Sequence, residues 1–260
     1  MSRTLKFSAL VVAVCLLPLA AAHAADGKPT IVLVHGAFAG SASWNGVIAN
    51  LVGRGYPVIA AANPLRSVAG DAAYVAAVVH SIKGPTVLVG HSYAGTVISE
   101  AAANQPNVKG LVYVSAFIPD VGESSLELSN KFSGSTLGAA LAPPVPLRGG
   151  DQDLYIENAK FGAQFAADLP AAQTRLMAVE QRPIAQSALA EKSTVAAWRS
   201  IPSWVIYGTA DRNIPPAAMA FMAERAHARK TVSIKGGSHL TLASHPREVA
   251  SLIEEAANAK

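Results

Sequence analysis

Three side chains in this sequence could together carry nucleophilic catalysis: Ser92, Asp211 and His239. A serine hydroxyl is a poor nucleophile near neutral pH, and a histidine activates it by taking its proton as attack proceeds. An aspartate orients that histidine and stabilises its charged form. Ser92 stands in Val87-Leu88-Val89-Gly90-His91-Ser92-Tyr93-Ala94-Gly95, where an apolar run ends in small residues and a helical pattern (Thr96, Val97, Ile98, Ala101) begins. Strand, sharp turn and helix with serine at the apex make a nucleophile elbow. The flanking positions must be small because strand and helix nearly touch. Gly90 meets that need, and Ala94 holds the second small position, with Gly95 following. Asp211 lies in Tyr207-Gly208-Thr209-Ala210-Asp211-Arg212-Asn213-Ile214, and His239 closes Lys235-Gly236-Gly237-Ser238-His239. Each has a rival: Asp120, which also follows a strand, and His245, at the helix entry Ser244-His245-Pro246. A tetrahedral oxyanion needs preorganised donors, and the backbone N–H groups of Tyr93 and Phe38 are the candidates. The ring of His91 is expected to turn away from the nucleophile, His35 to shape the loop that carries Phe38, and His80 and His227 to lie on helix surfaces.

These residues need a scaffold that brings distant segments together. Thr30-Ile31-Val32-Leu33-Val34 is a continuous apolar run bounded by glycines, as in a strand buried on both faces. Further strands are read at 57–61, in the elbow run, at 110–114, at 203–207 and at 231–234. Between them run helical patterns: Trp44, Val47, Ile48 and Leu51; then Tyr74, Val75, Val78, Val79 and Ile82 behind Asp71 as cap; then residues 216–228 and 246–257. Strands alternating with helices predict an α/β fold, a parallel sheet covered on both faces. In such sheets reactive groups gather at the C-terminal strand ends, where Ser92, Asp211, His239 and the His35-Gly36-Ala37-Phe38 loop all fall. From residue 118 to about 199 the alternation stops, with prolines at 119, 143, 144 and 146 and helical patterns near Phe161 and after Pro170. A strandless stretch that long is no ordinary loop, and it is expected to form a helical cap over the site.

Residues 1–24 read as a secretory signal: Arg3 and Lys6, then an apolar stretch over 8–19, then Ala22-His23-Ala24 as a small-x-small cleavage site. The apolar stretch is shorter than the ~20 residues a spanning helix needs, so no stable membrane anchor is expected. A secreted or periplasmic protein of residues 25–260, one domain with its cap, follows from this reading. The single cysteine, Cys15, lies in the leader, so the remainder has no disulfide, thiol nucleophile or cysteine-bound metal. Without the leader the chain holds 19 basic and 17 acidic residues, a net +2. Basic runs, zinc spacings and phosphate loops are absent, which argues against nucleic-acid, metal and nucleotide partners. The expected pocket lining is apolar: Phe38, Tyr93, Phe117, Ile118 and the cap residues Phe132, Phe161, Phe165, Leu169, Met177 and Trp198. No Arg or Lys is read as set beside the motifs to clamp a carboxylate or phosphate, so neutral hydrophobic substrates fit better than charged ones.

On these motifs the chain resembles the small single-domain α/β-hydrolases related to plant hydroxynitrile lyases and methylesterases, in particular a bacterial, pyrethroid-hydrolase-like subgroup. The resemblance rests on Val32 through Phe38, Trp44, Asn63-Pro64-Leu65, Val89 through Tyr93, Tyr113 through Asp120, Asp168-Leu169-Pro170, Gln181 through Ile184, Ile201 through Trp204 and Asp211 through Pro216. It implies a mostly parallel six-stranded sheet with a helical cap, and cofactor-free, metal-free hydrolysis of small-molecule carboxylic esters. Lyases of this family carry a lysine after the catalytic histidine and a threonine after the first strand. This chain has Leu240 and Gly36 there, which points away from lyase chemistry. The alternatives are a receptor-like protein that keeps the triad with low turnover, and cofactor-free perhydrolase or haloperoxidase chemistry.

Overall fold

The computed structural model describes residues 27–259, so the leader assigned to 1–24 lies outside the described residues. Its main sheet has six strands: β1 (Thr30–Val34), β2 (Val58–Ala61), β3 (Thr86–His91), β4 (Val108–Val114), β8 (Ser203–Gly208) and β9 (Lys230–Ile234). They lie in the order β2-β1-β3-β4-β8-β9, and every neighbouring pair is parallel. The central strands show why their sequences do not alternate. All six residues of β3 are buried, as are Ile31 to Val34 of β1, because both faces are covered. The edge strands β2 and β9 are partly exposed.

The connections set the layers. The chain steps one way from β1 to β2 through α1 (Asn45–Gly53), then back across β1 to β3 through α2 (Val68–His80). Right-handed crossovers in opposite directions put α1 and α2 on opposite faces. Helix α3 (Ala94–Ala101), between β3 and β4, packs on α2; the terminal helix α9 (Pro246–Asn258) packs on α1 and across β3, β4 and β8. The reversal of direction between β1 and β3 is a topological switch point, where the strand ends leave a crevice. The loop after β1 and the turn after β3 both open onto it.

Helix α2 differs from expectation at its start. Ser67 is its cap, accepting the Gly70 N–H at 3.0 Å. Asp71 is fully buried, accepting the Arg66 N–H and the Tyr93 hydroxyl, each at 3.1 Å. Burial pushes the Asp71 carboxyl above the usual carboxylate range. Tyr74, read as a core position, is 40% exposed.

The insertion between β4 and β8 contains α4 (Ser125–Asn130), α5 (Leu137–Ala140), α6 (Asn158–Phe165), α7 (Ala171–Glu180) and α8 (Gln186–Ala190). It also holds an antiparallel sheet of β5 (Val145–Pro146), β6 (Gln152–Leu154) and β7 (Ile184–Ala185), so the cap is not purely helical. Strands of two or three residues are too short to print a periodic pattern. Among the acceptors that tie the cap to the core, three hold backbone near the site. The Arg182 carbonyl takes the Phe38 N–H at 2.9 Å. The Glu191 carboxylate takes the Val68 and Ala69 N–H groups at the start of α2, at 2.7 and 3.0 Å. The Asp168 carboxylate takes both the N–H and the hydroxyl of Ser238.

Candidate active site

Ser92 sits at the C-terminal end of β3 with φ of +55°, a left-handed conformation that a non-glycine residue adopts only under constraint. The constraint is visible. Its N–H donates to the Val114 carbonyl at 3.2 Å, and its own carbonyl accepts from Gly95 and Phe117. A side chain on Gly90 would lie 2.6 Å from the Ala94 carbonyl oxygen, so strand and helix touch there and glycine is required. The elbow read from the sequence is present, and it is tighter still at Gly95, where a Cβ would lie 2.0 Å from the Phe117 carbonyl oxygen.

Asp211 and His239 come from the loops after β8 and β9, adjacent strands. His239 Nδ1 lies 2.6 Å from Asp211 Oδ2, and both side chains are buried. The other carboxylate oxygen, Oδ1, accepts the N–H groups of Asn213 (2.8 Å) and Ile214 (3.0 Å). These bonds fix the carboxylate in place. His239 Nε2 is buried with no hydrogen-bond partner among the described residues. It shares with Ser92 a cavity of about 60 Å³. Neither rival is placed for this work. Asp120 accepts both bonds of a pair with Arg199, each at 2.7 Å. His245 lies 3.6 Å from Asp168 and bonds Ser244.

The rings around His239 form a tight aromatic group. The Phe165 ring lies 5.0 Å and the His91 ring 4.9 Å from it, centroid to centroid. His91 Nε2 points to the His239 carbonyl at 3.2 Å, away from Ser92 as expected. Burial holds His91 well below the ordinary histidine range and lowers His35 to about 4, so both are neutral at physiological pH. His35 lies in the loop after β1, with Nδ1 3.0 Å from the Gly36 carbonyl. His80 and His227 are exposed, although His227 follows a helix instead of lying in one. Among the described residues no group of three or more His, Asp or Glu side chains is arranged to hold a metal ion. None of their helices is long and apolar enough to cross a membrane.

The structure redraws the lining and one of the donors. The Phe38 N–H is occupied by the Arg182 carbonyl, so it is not free for an oxyanion. Ala37, one residue earlier, lines the Ser92 cavity, and its N–H has no partner among the described residues. The Tyr93 N–H is likewise unpartnered. The loop's own sequence could not show this, because the cap carbonyl that occupies the Phe38 N–H lies 144 positions away in the chain. Phe117 and Phe165 line the cavity that holds Ser92. Ile118 does not: it is fully buried, with its N–H against the Met222 sulfur. Trp198 is on another face, donating to the Pro119 carbonyl and lying beside Arg199 and Arg225. Phe132 packs on Phe221. Phe161 and Met177 line a second cavity.

Residues 31–252 match the model of the alpha/beta hydrolase family, and the chain belongs to that family. A probable hydrolase of Phoma sp. is 34% identical over 113 residues, which is 38% of this chain and 46% of that relative's length. The chain thus matches less than half of that relative. Among solved structures, polyneuridine aldehyde esterase superposes with a TM-score of 0.77 at 20% identity, covering 88% of this chain and 98% of that one. A pyrethroid hydrolase from Sphingobium faniae gives 0.69 at 22%, covering 89% and 98%. At these identities the structural likeness establishes the fold.

Proposed function

We propose that this protein is a serine esterase that hydrolyses neutral, hydrophobic carboxylic esters through an acyl-enzyme. The observation that carries this reading is the cavity that Ser92 at the elbow and His239 line together, with His239 Nε2 unpartnered and its Nδ1 held by Asp211. Ser92 attacks the ester carbonyl while its proton passes to His239 Nε2. The tetrahedral oxyanion is held by the N–H groups of Tyr93 and Ala37, and a donor of this kind is worth about 3 kcal/mol in the transition state. Collapse expels the alcohol, which takes the proton from His239. Water then attacks the acyl-enzyme by the same route in reverse and frees the acid.

The cavity wall supports a neutral substrate: Phe117, Leu126, Leu137, Phe165 and Ile214 line it, and no charged side chain other than the catalytic group does. Lyase chemistry is disfavoured at Gly36, where any side chain would lie 2.7 Å from the Ser92 Cβ and 2.6 Å from the His91 carbonyl oxygen. Leu240 adds no polar group. The test is covalent labelling of Ser92 by a fluorophosphonate, together with hydrolysis of p-nitrophenyl butyrate. Ser92→Ala is expected to lower kcat by about a millionfold, as loss of a triad nucleophile does. Retention of full activity in that variant would refute the reading. Export follows from the leader: secreted or periplasmic material is expected to begin at Ala25, which intact-mass measurement checks.

A further inference from the structure

The catalytic cavity has a neighbour, and the two meet at one side chain. The inner cavity, about 60 Å³, holds Ser92 and His239 between Ala37, Phe117, Phe165 and Leu189. The outer one, about 330 Å³, lies over Leu240, Phe161 and Met177 and opens to solvent beside the exposed Leu176 and Arg182. Phe38 lines both. Its ring stands edge-on to Phe165 at 6.1 Å, and Phe165 in turn lies against His239. Its backbone is held at φ of +59° with the N–H tied to the Arg182 carbonyl. A bulky residue in this conformation is unusual and marks a position fixed by its surroundings.

The sizes decide what each cavity takes. An apolar cavity of about 150 Å³ holds a benzene ring. At about 60 Å³ the inner cavity is less than half of that and suits a group of a few non-hydrogen atoms better than a ring. The outer cavity falls at the lower end of the roughly 300–1,000 Å³ typical of small-molecule sites. Both proposed oxyanion donors border the inner cavity, so the reacting carbonyl must sit there.

We infer that Phe38 is the specificity-determining residue of this site, sorting the two arms of an ester by size. One arm, of acetyl or ethyl dimensions, stays in the inner cavity. The other, long or bulky and apolar near the ester, passes the Phe38 ring into the outer cavity. The substrate class is an ester with one short and one large arm; esters bulky on both sides are excluded. This rests on the esterase reading, and the test separates the two.

Dialkyl fluorophosphonates read the cavities without turnover: the Ser92 oxygen displaces fluoride at phosphorus, and the serine proton passes to His239. One series keeps an ethyl arm and lengthens the other from methyl to dodecyl. A second lengthens both arms together. Labelling rates are expected to stay within about threefold along the first series and to fall at least tenfold in the second once both arms exceed butyl. Phe38→Gly suits the left-handed backbone and removes the ring; it is expected to bring the second series to within about threefold of the first. Phe38→Ala, which keeps a Cβ to restrict the backbone, should do the same. Equal rates for the two wild-type series, or an unchanged ratio in both variants, would overturn the sorting role and leave the esterase reading standing. Failure of every reagent to label Ser92 would overturn both.

Discussion

At the scale of single residues, the site depends on close approaches that tolerate little change. Ala94 departs from the usual glycine at the elbow, yet it is fully buried and its Cβ is accommodated. The crowding falls on its neighbours, on Gly90 against the Ala94 carbonyl and on Gly95 against the Phe117 carbonyl. Ala94→Gly is therefore expected to keep kcat/KM within about tenfold, a barrier change of ~1.4 kcal/mol. Gly90→Ala, with its new methyl 2.6 Å from that oxygen, should cost far more, and the same ester assay ranks the two. Asp211 accepts three hydrogen bonds, from His239, Asn213 and Ile214. In Asp211→Asn the amide can serve only part of that set and favours the wrong imidazole tautomer. A fall in kcat of about ten-thousandfold is expected, read from pre-steady-state and steady-state rates. A loss under tenfold would show that Asp211 does not orient His239.

At the scale of elements, the residue after the nucleophile links two helices. The Tyr93 hydroxyl reaches the buried Asp71 of α2 from the start of α3. Tyr93→Phe leaves that carboxylate with one fewer donor in a place water does not reach. A loss of about 1–3 kcal/mol is expected, measured as a lowered urea midpoint at unchanged denaturant slope; an unchanged midpoint would deny Asp71 its dependence on Tyr93. This pair also shows what the sequence could and could not say. Strands β1, β3, β4 and β8 were legible because doubly buried strands are uninterrupted apolar runs, and Ser92, Asp211 and His239 were legible because they fall at strand ends. Asp71 looked like a helix cap because polar residues near a helix start usually are; its real partner is contributed by another element. The lining failed for the same reason. An aromatic residue in the cap reads alike whether it faces the site, as Phe165 does, or a distant groove, as Trp198 does.

At the scale of the whole molecule, buried histidines tie stability to pH. His35, lowered to about 4 by burial, stays neutral in the folded protein, while the unfolded chain takes up a proton below about 6.5. Between those values the unfolded state binds more protons, so stability falls on acidification and levels off beneath about pH 4. His35 alone accounts for a loss on the order of 3 kcal/mol across that window, and the lowered His91 acts in the same direction. The raised carboxyl of Asp71 acts oppositely, at the acid end. Urea midpoints measured from pH 7 to pH 4 should decline steadily, and a flat profile would mean that the buried histidines charge without cost.

Three of the acceptors that tie cap to core bear on any attempt to exchange one cap for another. The insertion leaves β4 and returns to β8, its immediate neighbour, so the sheet could close around a replacement of different length. The functional loops could not. A transplanted cap would have to bring a carbonyl for Phe38, a carboxylate for the first turn of α2 and another for Ser238 beside the catalytic histidine. Grafts chosen for cavity shape alone would fold yet leave the loops that bear the chemistry unmoored; grafts that carry these three acceptors should be the ones that remain active.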